Sequence, residues 1–274
     1  MMRKLEINEI KKCSFELLCM IKSVCEENGI SYSLTGGTLI GAVRHKGFIP
    51  WDDDIDVMMP RPDYDRFISI VSKGDYGFDL FSDETCGEKY GYPFAKASHR
   101  STAIKENAVQ SEDFLFGVYV DVFPVDGIGD SYFEAKVRTA FFQFLHGLKV
   151  ASNWTEYHKS KLREWYYEPL RYICYLASRI IGRKLIDKWI NRFLRRKSFE
   201  TSKYAGRLVG DFGSKEVMNK QLFQTLTQVE FEGEMFEAVS DYDTFLTKLY
   251  GDYMTPPPPA KQVSHHEFEA FWID

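Results

Sequence analysis

Apolar positions along the chain alternate between two periods. Ile7, Ile10, Leu17, Ile21 and Val24 fall on one helical face ahead of Gly29, which predicts a helix over 5–28 with a glycine stop. Ile30–Leu34 reads as a short strand, and Thr38–His45 returns to helical spacing until Gly47 and Pro50. Asp54–Met58 alternates acid and apolar residues as a half-buried strand does, closed by Pro60, and Arg61–Phe67 opens a helix with proline in its first turn. Phe78–Phe81, Pro93–Ala97 and Ala103–Lys105 are expected as strands of one mixed sheet, and Val118–Phe123 is a β-rich run with one acid in its middle. From about Ser131 to Lys203 the period becomes helical, with Phe141, Phe142, Phe144, Tyr172, Ile173, Leu176, Ile180 and Ile181 set among Arg and Lys. Strand-like sequence resumes near Gln228–Phe231, followed by a short helix over Tyr242–Tyr250. The pattern predicts an α/β (α+β) protein. A mixed-sheet core flanked by helices occupies 1–130, a helical insertion 131–204, and a segment returning to the core 205–274.

Composition narrows the setting. The five cysteines are scattered and form no CxxC pair, which excludes a disulfide framework and points to a reducing compartment. The N-terminal residues lack an apolar h-region and no run approaches 18 apolar residues, so neither a signal peptide nor a membrane span is expected and a cytoplasmic location is. The net charge of -5 is unevenly spread. Residues 132–207 hold 17 Lys and Arg against 6 Asp and Glu, a balance of +11 that leaves -16 for the rest. Such a block faces an anionic surface or substrate, or forms a solvated helical subdomain covering the site.

The chemistry gathers around one stretch. Gly36-Gly37-Thr38 ends an apolar run, where paired glycines admit close backbone approach and the following helix offers amides to a phosphate. Downstream, Trp51-Asp52-Asp53-Asp54-Ile55-Asp56 places four acids within five residues. On a strand, Asp54 and Asp56 point to one side with Ile55 turned into the core. Two such carboxylates repel unless a cation lies between them, and hard oxygen ligands suit Mg²⁺ or Mn²⁺. Asp121, inside Val-Tyr-Val-Asp-Val-Phe, is the third expected metal ligand and a candidate acceptor of the attacking hydroxyl's proton. Asp54, Asp56 and Asp121 are thus the expected catalytic and metal-binding set. Asp52 and Asp53 are assigned supporting roles on the loop, and Asp126 reads as a turn residue or an outer acid. Arg44 and Lys96 are candidates to balance the phosphate charge beside Gly36, Gly37 and Thr38. His265 and His266 lack matching ligand spacing, so metal binding by them is not expected.

The run Gly36–Val57, together with Tyr64-Asp65-Arg66-Phe67, Val120–Gly127 and Tyr250-Gly251-Asp252-Tyr253-Met254, strongly resembles the signature of the LicD family. These are phosphocholine transferases related to fukutin and fukutin-related protein, within the nucleotidyltransferase superfamily. The resemblance implies a nucleotidyltransferase-like core in which the glycine pair holds nucleotide phosphates and the acids bind divalent metal. It implies CDP-choline as donor, CMP as leaving group, and a sugar hydroxyl of a teichoic-acid or lipopolysaccharide-type precursor as acceptor. A lipid-linked acceptor would place the enzyme at the inner face of the membrane, touching it peripherally through 131–204, with no nucleic acid involved. Transfer of ribitol or glycerol phosphate, or a metal-dependent glycosyl transfer, are the competing readings. Choline would rest on an aromatic face, with Trp51, Tyr90, Tyr92 and Trp272 as candidates.

Overall fold

The computed structural model describes residues 3–87, 90, 92–106, 116–152, 154, 156–157, 159, 165–210, 212–262 and 268–273. His265 and His266 lie outside them. The chain divides into two compact units, 1–125 with 219–274, and 126–218.

In the first unit, β1 (Arg3–Lys4) leads into α1 (Ile7–Asn28). A capping box between Glu6 and Glu9 starts α1, and left-handed Gly29 ends it. Next come β2 (Ser33–Leu34), α2 (Gly36–His45), β3 (Asp56–Pro60), α3 (Arg61–Val71), β4 (Phe78–Phe81), α4 (Asp83–Cys86), β5 (Ala95–His99), β6 (Thr102–Glu106) and β7 (Tyr119–Gly129). The second unit holds α5 (Tyr132–Ser152), α6 (Glu168–Ile181), α7 (Arg183–Leu194) and β8 (Tyr204–Gly206), which pairs antiparallel with the far end of β7. β9 (Met218–Asn219) leads back to the first unit. There β10 (Leu226–Phe231) and β11 (Glu234–Val239) form a hairpin before α8 (Tyr242–Tyr250) and β12 (Phe268–Trp272).

The central sheet of the first unit runs β2-β3-β7-β5-β4, with β3 and β7 parallel and the other pairs antiparallel. The expected α/β class with a mixed sheet is therefore correct. One strand assignment is not: β6 lies in a separate three-stranded sheet, β1-β12-β6. Its pairing with β12 depends on residues far away in sequence, which local periodicity does not report. Val57, Val120 and Val122 are completely buried, as are Leu17, Leu18 and Ile21 of α1. Burial of this apolar surface is what fixes the strand register next to the acids.

Candidate functional site

The site assembles where β2 hands over to α2. Gly36 adopts φ +60, a left-handed conformation that glycine accepts without a Cβ penalty. Thr35 supplies no side-chain cap, and the first-turn amides of an α-helix have no partner within the helix. Carboxylates close on this turn from outside. A Cβ on Gly36 would lie 2.6 Å from Asp56 Oδ2, and one on Gly37 would collide with Asp52 Oδ2. The helix begins two residues earlier than the pattern indicates, so the glycine pair forms its first turn. Thr38 has a positioning contact as well: its Oγ1 accepts the Asp56 amide at 2.8 Å, tying α2 to β3. Thr35 Oγ1 is buried without a hydrogen-bond partner among the described residues.

β3 starts at Asp56, not Asp54, so Asp54 precedes the strand. The alternation continues through it nevertheless: Asp53, Ile55 and Val57 are buried, while Asp54 and Asp56 are half-buried. Asp56 stands in register with Asp121 on parallel β7, and Asp121 with Lys96 on antiparallel β5. Residues in register on neighbouring strands share a face. The result is a row of two anions and one cation across three strands. Lys96 Nζ donates to Asp121 Oδ1 at 2.7 Å, with only 3% of the lysine side chain exposed. Its ammonium lies 3.5 Å from the ring centre of Tyr119, 4.7 Å from Tyr92 and 5.3 Å from Phe94. Sequence reasoning gave Lys96 to phosphate and Asp121 to metal; the strand register joins them to each other.

Among the described residues, one carboxylate oxygen from each of Asp52, Asp53 and Asp54 lies within 4.8 Å of the others. The approach of Asp52 to Gly37 depends on how the 46–51 loop turns back. That loop is clamped from both sides. Lys11 Nζ of α1 donates to the carbonyls of Ile49 and Pro50 at 3.3 and 3.1 Å. Burial lowers the Lys11 pKa, and the charges of Asp52 and Asp53 oppose that shift. Glu232, at the β10–β11 turn, accepts the Phe48 amide at 3.0 Å and donates its own amide to Lys46 O at 2.8 Å.

Arg44 sits at the other end of α2, about 12 Å along the axis from Gly36. Its Nη1 donates to Tyr253 O at 2.7 Å and its Nε to His45 Nε2 at 2.9 Å. Asp126 belongs to β7 itself and is completely buried, so it is not a turn residue. Among the aromatic candidates, Tyr90 is 1% exposed, and Trp272 of β12 makes an edge-to-face contact with His99 of β5. Trp51 is half-buried next to Asp52.

The donor chemistry suits a hard divalent cation. Asp52, Asp54, Asp56 and Asp121 offer only carboxylate oxygens, and Lys96 offsets one of the charges. The first-turn amides of α2 adjoin these acids, where an anionic ligand would meet both.

The LicD/FKTN/FKRP nucleotidyltransferase domain matches residues 29–180, a span that holds the in-register acids of the mixed sheet and the glycine-started helix. The chain is 32% identical over 273 residues to the lipopolysaccharide cholinephosphotransferase LicD of Haemophilus influenzae, covering 98% of this chain and 99% of that one. It also matches ribitol 5-phosphate transferase FKRP of Mus musculus and of Homo sapiens, 49% identical over 37 residues, 14% of this chain and 8% of theirs. The chain belongs to the LicD family and is a transferase.

Proposed function

We propose that this transferase moves phosphocholine from CDP-choline to a sugar hydroxyl of a lipopolysaccharide- or teichoic-acid-type glycan precursor and releases CMP. The observation that carries the reading is the near full-length similarity to the Haemophilus influenzae cholinephosphotransferase. Asp54, Asp56 and Asp121, with Asp52 beside them, would hold Mg²⁺ or Mn²⁺, which supplies charge neutralisation at the donor diphosphate. Gly36 and Gly37 present their amides to the phosphates at the positive end of α2. The acceptor oxygen forms a bond to the phosphorus bearing choline as the bond from that phosphorus to the CMP oxygen breaks. The hydroxyl proton passes to Asp121, whose Oδ1 Lys96 Nζ holds in place at 2.7 Å. Trp51 is the proposed face for the quaternary ammonium, since the Lys96 cation already lies over Tyr92 and Tyr90 is enclosed. The free cysteines fit a reducing cytoplasm.

The short, dense match to FKRP favours a second reading, transfer of ribitol phosphate from its CDP donor. Both are tested by following CMP release from CDP-choline and CDP-ribitol with and without a glycan acceptor. Acceptor-dependent release from CDP-choline alone supports the first reading. Release from CDP-ribitol alone replaces it with the second.

A further inference from the structure

The unit 126–218 exposes apolar side chains that its own core does not use. On α5, Phe133, Val137, Phe141 and Phe144 are 78%, 53%, 50% and 40% exposed. They are spaced by four, four and three residues, which makes one stripe along the helix. A different set on α5, including Phe142, Leu145 and Leu148, forms the core with Ile186, Ile190 and Leu194 of α7. α6 repeats the pattern with Leu170, Ile173, Leu176 and Ile180 exposed, the last at 87%. A surface helix of a globular protein has one apolar stripe, turned to the core. These helices carry a second.

Between α5 and α7 runs a groove of about 640 Å³ lined by Phe141, Trp189 and Phe193 together with Arg192, Arg195 and Arg196. Exposed Lys188 adjoins Trp189. The occupant must therefore cover apolar rings and also accept several cations. A second copy of the chain placed symmetrically on this face would oppose arginines to arginines. An anionic polymer would engage the arginines and leave the phenylalanine stripe in water. A bilayer with anionic headgroups meets both demands, since rings enter the acyl boundary and guanidinium groups bind phosphodiesters.

We propose that the α5–α7 face docks on an anionic bilayer surface, with Arg192, Arg195 and Arg196 receiving headgroup phosphates and Phe141 and Trp189 inserting beside them. Among the described residues no helix is long and apolar enough to cross a membrane, so the contact is peripheral.

The test is flotation of the full chain on vesicles of phosphatidylethanolamine with phosphatidylglycerol, set against vesicles of phosphatidylcholine alone. The chain is expected to float with the first and to remain at the bottom with the second. Arg192→Gln, Arg195→Gln and Arg196→Gln together should lower partitioning on the order of a hundredfold, about fivefold for each charge. Phe141→Ser with Trp189→Ser should weaken flotation even at low salt, where charge attraction alone would persist. Each variant is compared at matched helical circular dichroism. Failure of the unmodified chain to float with either vesicle, or equal flotation with both, overturns the proposal. So does a concentration-dependent dimer in sedimentation that the same substitutions break, if flotation is absent. Flotation needs neither donor nor acceptor, so its outcome is independent of the transferase reading.

Discussion

Gly36 and Asp56 share a space that holds either a Cβ or a carboxylate oxygen, with 2.6 Å between the two positions. Gly36→Ala therefore meets two penalties, the left-handed backbone and displacement of Asp56. Gly29 isolates the first of these, because it has φ +59 and nothing within 4 Å of its Cβ position. Gly29→Ala is expected to lose about 1–2 kcal/mol of stability and keep its activity. Gly36→Ala is expected to lose stability and, in addition, on the order of a hundredfold or more in kcat. Urea melts and initial rates of CMP release on both variants check this; equal kcat in the two would remove the Gly36–Asp56 contact from the mechanism.

The proposed metal dependence has a direct test. If Asp54, Asp56 and Asp121, with Asp52 beside them, hold a divalent cation, Mg²⁺ or Mn²⁺ should raise the melting temperature through preferential binding to the folded state, with chelator abolishing turnover. Asp54→Asn and Asp56→Asn should each abolish both the thermal shift and CMP release. A retained Mn²⁺ shift in Asp56→Asn would move the metal away from β3.

Some of this site could be read directly from the chain and some could not. Asp54-Ile55-Asp56-Val57 announces its own alternation, because neighbours in a strand decide it, and the structure keeps Ile55 and Val57 buried between half-buried acids. β4 and α8 likewise occupy the expected residues, since local apolar spacing defines both. The Lys96–Asp121 pair needs the register of β5 on β7, which relates residues 25 apart and has no local signature. Asp52 is a third kind of case. Its contact with Gly37 depends on a loop held by Lys11 from α1 and Glu232 from the β10–β11 turn, two residues with no motif of their own.

Lys96 and Asp121 form a pair whose loss is asymmetric. Lys96→Met removes the cation from beside a carboxylate that is only 16% exposed. Breaking such a pair from one side costs about 3–5 kcal/mol. Adding Asp121→Asn removes the remaining charge, so the double variant should recover much of that stability. It should not recover turnover, because the amide that replaces the Asp121 carboxylate accepts no proton. Denaturant melts of the two singles and the double, with rates beside them, form the cycle. Additive stability losses would show that the two side chains do not depend on each other.

His45 carries a pH signature of its own. Burial lowers its pKa from the ordinary value of 6.5, and the neighbouring Arg44 charge adds to the shift. The neutral ring is the form that accepts the Arg44 Nε hydrogen at Nε2. Below 6.5 the unfolded chain takes up a proton at His45 that the folded chain resists, so the unfolded state binds more protons. The contribution of His45 to stability is therefore fully present above pH 6.5 and is lost as pH falls through its lower folded value. His45→Gln preserves an acceptor without a titrating ring. Its stability relative to the parent should rise as pH drops from about 7.5 to about 5, and urea melts across that range read the difference. A parent-minus-variant difference that stays flat with pH would mean that His45 is charged equally in both states and does not hold Arg44 as a neutral acceptor.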